Sequence, residues 1–253
     1  MIFPEDTLTD DKFLMGRLRL LQPAKGYRAA TDPVLLAAAC PAIAGQSVLD
    51  LGCGAGAAAL CLASRVPDLS LAGLELQPEY ADLARRNAAR NGLSMQVETG
   101  DLTAMPQALR RGFDHVIANP PYYHAAGSPS PVPARDRALR VDTAIAAWIA
   151  AAATRLNPGG WLTMIFSTPN LPEALAALPP KLGSPLVLPL APRDGREAPR
   201  LILRARKGGR APFRLLPAFV LHRGDAHDGD RENYTQAANA VLRDGADLSA
   251  AFR

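Results

Sequence analysis

Asn119, Pro120, Pro121, Tyr122 and Tyr123 stand directly behind the run FDHVIA at residues 113–118. A carboxamide, a rigid bend and two aromatic rings thus meet at the end of what reads as a buried strand. Asn119 offers a side-chain carbonyl and Pro120 a backbone carbonyl, and each can accept one N–H of the same amino group. A planar amino nitrogen held in this way can move toward tetrahedral geometry and present its lone pair to an electrophile. The prolines fix φ and restrict the residue before each of them, so both carbonyls are aimed before a substrate arrives. Tyr122 can stack on a flat ring, while Tyr123 reads as packing.

A second group of residues lies in VLDLGCGAG, residues 48–56. Gly52, Gly54 and Gly56 let a backbone turn sharply and approach a ligand where a Cβ would collide. Such a loop after a strand holds a dinucleotide pyrophosphate or another nucleotide-like cofactor. Asp50, just before the glycines, can face a cationic group or its ordered water, and Glu75, closing the next strand, can accept both hydroxyls of a ribose. Asp101, in TGDL, is either a site acid or a turn residue. Cys53 reads as a small residue with nothing beside it to activate a thiol.

The elements that must position these groups follow from short apolar runs alternating with helical segments, the pattern of a parallel sheet covered on both faces. SVLDLGCG, LSLAGLEL, SMQVETGD, DHVIANP and GWLTMIFST read as successive strands, with PLVLPLA, RLILRARK and FRLLPAFVLHR after them. QPEYADLARRNAARNG is helical, with Pro78 near its first turn and Gly92 past its end. DTAIAAWIAAAATRLNPGG is a second helix, stopped by Asn157, Pro158 and Gly159. A third begins near Pro33, with Thr31 or Asp32 expected to accept from its open amides. Residues 124–142 read as an irregular loop, and its three arginines lead us to expect ordering only when a nucleic acid binds. Residues 1–46 form an N-terminal extension and residues 47–253 the main domain of one globular unit.

The chain has 253 residues, 48% of them hydrophobic, enough for a packed core. Its three cysteines form no C-x-x-C pair, so neither a disulfide framework nor a zinc site is expected. His115 reads as structural and His124 as incidental. His222 and His227 show no ligand spacing, and no metal is expected. Acids in the first ten residues, where a secretory leader carries basic ones, and the lack of a membrane-spanning apolar run point to a cytoplasmic protein. Net charge is +4, but residues 193–214 hold eight arginines and lysines against two acids. That density suits either a polyanion or a solvated strand edge.

Together LDLGCGAG, GLEL and NPPYY resemble the class I S-adenosylmethionine-dependent methyltransferases. The resemblance implies a Rossmann-like α/β fold with a mostly parallel, seven-stranded twisted sheet and helices on both faces. It places Asp50, Gly52, Gly54 and Gly56 by the methionine portion of S-adenosylmethionine, Glu75 on the ribose, Asp101 and Leu102 beside the adenine, and Asn119 at the junction of cofactor and substrate. It makes Asn119, Pro120 and Tyr122 the catalytic group, with Tyr122 stacking on a base swung out of its neighbours.

KGYRAATDPVLLAAAC and FVLHRGD with ENYTQ further resemble the bacterial tRNA(Val) adenine-N6 methyltransferases. This resemblance implies adenine N6 in tRNA as acceptor, RNA as partner, and residues 1–46 as part of a lid. Lys25, Arg28, Arg204, Arg206 and Lys207 are the expected phosphate contacts. Guanine N2 in rRNA and a protein glutamine amide are alternative acceptors, and an RNA-binding protein without turnover is an alternative of another class. The Ala- and Pro-rich stretches at 128–140 and 179–214 do not match that family's pattern.

Overall fold

The computed structural model describes residues 2–121, 143–224 and 233–253. Tyr122, Tyr123, His124, His227 and the expected loop at 124–142 fall outside them. Strand β3 (Ser47–Leu51) and strand β6 (Phe113–Ala118) are buried along nearly their whole length, as strands covered on both faces must be. Around them lie β4 (Ser70–Glu75), β5 (Met95–Thr99), β7 (Leu156–Ser167), β8 (Leu182–Ala191) and β9 (Arg200–Lys207). The order is β8-β9-β7-β6-β3-β4-β5, and β9 alone among these seven runs against its neighbours. The run read as a last strand breaks into two short pieces, β10 (Arg214–Leu215) and β11 (Phe219–Val220), both lying along β8.

Helices α1 (Thr31–Ala39), α2 (Ala57–Arg65), α3 (Pro78–Arg90) and α4 (Ile145–Arg155) cover the sheet. Two shorter ones, α5 (Leu171–Ala176) and α6 (Gln236–Leu242), complete the layers. In α4 the buried residues Ile145, Trp148, Ile149 and Ala152 recur at helical spacing and face the core shared with β6 and β7. The start of α1 corrects an expectation. Thr31 is already helical and Ala30 occupies the cap position, while the carboxylate of Asp32 is engaged by the guanidinium of Arg200. No helix among the described residues is long and apolar enough to cross a membrane.

The N-terminal segment holds a hairpin that no local pattern announces, β1 (Leu8–Phe13) against β2 (Leu18–Pro23). Its turn passes through Leu14, Met15 and Gly16, all at positive φ. The outer edge of β2 meets two asparagines, Asn87 of α3 and Asn91 just past its end, rather than another strand. Asn87 Oδ1 accepts from Leu21 N at 2.7 Å and its Nδ2 donates to Leu21 O at 3.0 Å; Asn91 does the same for Arg19 at 3.0 and 2.9 Å. Asn87 Nδ2 also donates to Ala55 O at 3.0 Å, tying the hairpin to the glycine loop. Asn87 is fully buried, so Asn87→Ala strands three backbone groups. Urea unfolding should show a loss of about 2–4 kcal/mol, whereas a loss below about 1 kcal/mol would mean that water replaces the amide.

Candidate active site

All three glycines of the loop after β3 lie in left-handed backbone, with φ of +65° at Gly52, +53° at Gly54 and +85° at Gly56. A Cβ on Gly52 would stand 2.6 Å from the ring of Trp148, so the indole closes directly over bare backbone. Glu75 ends β4 beside this loop and is buried. Its Oε2 accepts from Gly54 N and its Oε1 from Gln77 N, each at 2.9 Å. With about four lone-pair sites in all, the carboxylate keeps capacity for a ligand hydroxyl beside these amides. Burial raises the Glu75 carboxyl above its ordinary value, against the pull of those amides.

A cavity opens above the ends of β3, β4 and β6. Asp50, Gly52, Cys53, Gly54, Glu75, Leu76, Asp101, Leu102, Asn119, Pro120 and Pro121 all line it. Every cofactor residue expected from sequence therefore reaches one cavity except Gly56, which caps α2 behind the loop. Asp101 is exposed, and its Oδ1 accepts from Thr103 N and Thr103 Oγ1 at 2.7 Å each, so it shapes a turn at the rim. Burial pushes the Cys53 thiol well up, which leaves it a space-filling group. These residues fit a cationic nucleoside cofactor. The buried carboxylates of Asp50 and Glu75 line the cavity beside the bare backbone of Gly52 and Gly54, and the buried indole Nε1 of Trp148 has no hydrogen-bond partner among the described residues.

Asp50 is pushed from 3.8 to about 8, first by burial and further by Glu75, against one hydrogen bond from Ala59 N. Between those values the folded chain holds a proton that the unfolded chain has lost, so stability should fall as pH rises through that window. A cation bound beside Asp50 favours its charged form. Binding of S-adenosylmethionine at about pH 7 should therefore release up to about one proton and tighten as pH rises toward 8. Calorimetry in buffers of different ionisation enthalpy measures that proton, and a binding enthalpy independent of buffer would contradict it.

Asn119 follows β6 at the cavity wall, and its Nδ2 donates to the hydroxyl of Tyr27 at 3.5 Å. Tyr27, Gln22, Ala29 and Pro33 bring the N-terminal segment into the same wall, together with Tyr80 from α3 and Trp148 from α4. None of these six was expected there. Two aromatic residues flanked by small ones, in KGYRAA and in the alanine-rich α4, were the available signals.

The cationic residues separate. Arg28 is bound to Asp11 Oδ2 at 2.6 Å and to Thr9 Oγ1 at 2.8 Å, which fastens the loop to the hairpin; Lys25, in the same segment, is exposed. Arg204 corrects the reading of residues 193–214 as one phosphate surface. It is only 6% exposed, with its guanidinium over the rings of Phe252 and Trp161 at 4.2 and 4.9 Å, where contact with a phosphate would break both stacks. Burial lowers it to about 10, so it remains charged inside. Because β9 is antiparallel, Arg206 pairs with Trp161 at the start of the sheet, while Arg200 pairs with Ser167 at the end that carries the cavity. Arg206 Nε donates to Gly159 O and Lys207 Nζ to Leu156 O, again at the far edge.

A family model described as the methyltransferase small domain matches residues 31–178. The tRNA1(Val) (adenine(37)-N6)-methyltransferase of Cronobacter sakazakii is 28% identical over 234 residues, covering 90% of this chain and 89% of that enzyme. The release factor glutamine methyltransferase of Deinococcus radiodurans is 34% identical over 143 residues, 52% of this chain and 49% of the relative. Among solved structures, a predicted O-methyltransferase from Agrobacterium tumefaciens superposes with a TM-score of 0.69 at 26% identity, covering 86% of this chain and 98% of that one.

Proposed function

The chain belongs to the methyltransferase small domain family and is an S-adenosylmethionine-dependent methyltransferase; from that premise we propose that it methylates an exocyclic amino group of a nucleic-acid base, adenine N6 in a tRNA anticodon loop. The observation that carries this reading is the placing of Asn119, Pro120 and Pro121 in one cavity wall with Gly52, Gly54 and Glu75. The relative that aligns with 90% of the chain is a tRNA adenine-N6 enzyme, which supports the acceptor.

When bound, S-adenosylmethionine supplies a methyl group made electrophilic by its sulfonium. Glu75 and the glycine loop would hold its ribose and methionine portions, Asp50 its cationic end, and Leu102 with Asp101 its adenine. Asn119 Oδ1 and the carbonyl of Pro120 accept the two N–H bonds of the target amine and favour the pyramidal nitrogen. Asparagine does this without adding a third carboxylate to a cavity that already has two buried ones. The amine becomes acidic only as the new bond forms, so its proton can leave to water and no general base is needed. Tyr122 stacks on the flipped base. Residues 1–46 act as part of the lid through Tyr27 and Ala29, and Lys25 meets RNA phosphate at the rim.

Mass spectrometry of nucleosides after incubating the enzyme with S-adenosylmethionine and unmodified tRNA tests the proposal, with N6-methyladenosine as the expected product. The match to a glutamine methyltransferase favours a protein amide as the second reading, so a release-factor peptide is the second substrate to offer. Methylated glutamine, or N2-methylguanosine from rRNA, would replace the adenine assignment. Cofactor and RNA binding without any product would indicate a binding protein on this fold.

A further inference from the structure

An asparagine amide has two ends of nearly equal size and opposite hydrogen-bonding character. Facing a substrate N–H, the oxygen accepts while the nitrogen opposes it. A site that uses Asn119 as an acceptor therefore needs a partner that takes the nitrogen.

The structure places one there from the N-terminal segment. Tyr27 Oη lies 3.5 Å from Asn119 Nδ2, a long contact of the kind that shortens when a site is filled. The phenol is delivered by a segment fixed at several points. Tyr80 Oη donates to the carbonyl of Tyr27 at 3.1 Å. Gln22 accepts from Ala29 N at 2.7 Å and donates to Ala29 O at 3.2 Å. Arg28 binds Asp11, Thr9 and the carbonyl of Pro23. Gly26 makes the turn at φ +126°, where a Cβ would stand 3.3 Å from Tyr80 Oη. Burial, with Asp50 next, pushes the Tyr27 hydroxyl up to about 12, so it stays protonated through the neutral range.

We infer that Tyr27 is a positioning residue that holds the amide nitrogen of Asn119 and thereby presents the carbonyl oxygen to the substrate amine. This rests on the amine-acceptor role proposed for Asn119. It assigns a chemical task to the KGYRAA segment, ninety-two residues away in the chain.

The test compares Tyr27→Phe in the native enzyme and in the Asn119→Asp background, using S-adenosylmethionine and unmodified tRNA transcript. A carboxylate presents an oxygen to the substrate whichever way it turns. Tyr27→Phe should lower kcat about five- to ten-fold in the native enzyme, the equivalent of one ordinary hydrogen bond, with cofactor Kd within about two-fold, and should cost nothing further beside Asn119→Asp. The side-chain amide signals of Asn119 in a 15N spectrum should shift with Tyr27→Phe, independently of turnover. Equal losses in both backgrounds, an unchanged kcat, or unmoved amide signals would each overturn the inference. A rise in kcat would also overturn it, since the hydroxyl would then have been donating to the oxygen and competing with substrate. If Asn119→Ala leaves kcat intact, the acceptor reading itself fails and the failure does not belong to Tyr27.

Discussion

Asn119→Ala should reduce kcat on the order of 10²- to 10³-fold while leaving cofactor Kd within about three-fold, because the acceptor it removes matters most when the target nitrogen pyramidalises. The split follows from placement. Asn119 stands in the cavity wall at the end of β6, whereas the other groups assigned to the cofactor come from the ends of β3, β4 and β5 or just beyond them. Single-turnover kinetics with saturating cofactor isolates the chemical step. A loss in cofactor affinity with kcat retained would move Asn119 from the substrate to the cofactor and remove the proposed amine activation.

Glu75→Ala should act in the opposite sense. Hydrogen bonds to a charged acceptor contribute about 1.5–3 kcal/mol each, so losing a carboxylate that takes ribose hydroxyls should weaken S-adenosylmethionine by at least on the order of 10²-fold. Part of that loss is structural, since Gly54 N and Gln77 N lose their acceptor as well. S-adenosylhomocysteine lacks the sulfonium charge and keeps the ribose. It should weaken by a similar factor in calorimetry, which separates hydroxyl recognition from electrostatic attraction to a cation. A change below about three-fold for both ligands would mean that Glu75 supports the loop without touching the ribose.

Much of the sheet and of the cofactor side of the cavity was legible because its information is local. A glycine loop behind one strand, an acid ending the next and an asparagine ending a third are fixed by spacing, and parallel strands bring such ends together. Tyr27 and Trp148 were not legible. They come from segments whose approach to the cavity depends on packing: a hairpin closed by Asn87 and Asn91, and a helix that seats an indole over Gly52. The hairpin escaped notice because β1 reads as LTDDKF, polar and without alternation, and because the edge of its partner is satisfied by side chains of α3. Arg204 misled for a related reason. Formal charge suggests solvent, but a guanidinium whose face lies against Phe252 and Trp161 can be held inside.

The reversal of β9 has an electrical consequence. Arg200 and Lys207 bound a strand of eight residues, which at about 3.3 Å per residue separates the two ends by roughly 23 Å. The Debye length at physiological ionic strength is about 8 Å. Cations that crowd together along the chain are therefore mutually screened at their exposed ends, and an anion beside the cavity responds to one end of the strand and is almost blind to the other. The run at 193–214 is dense only when counted along the chain; in space Arg200 and Lys207 stand at opposite ends of β9, with Arg204 buried between them and Arg200 already facing the carboxylate of Asp32.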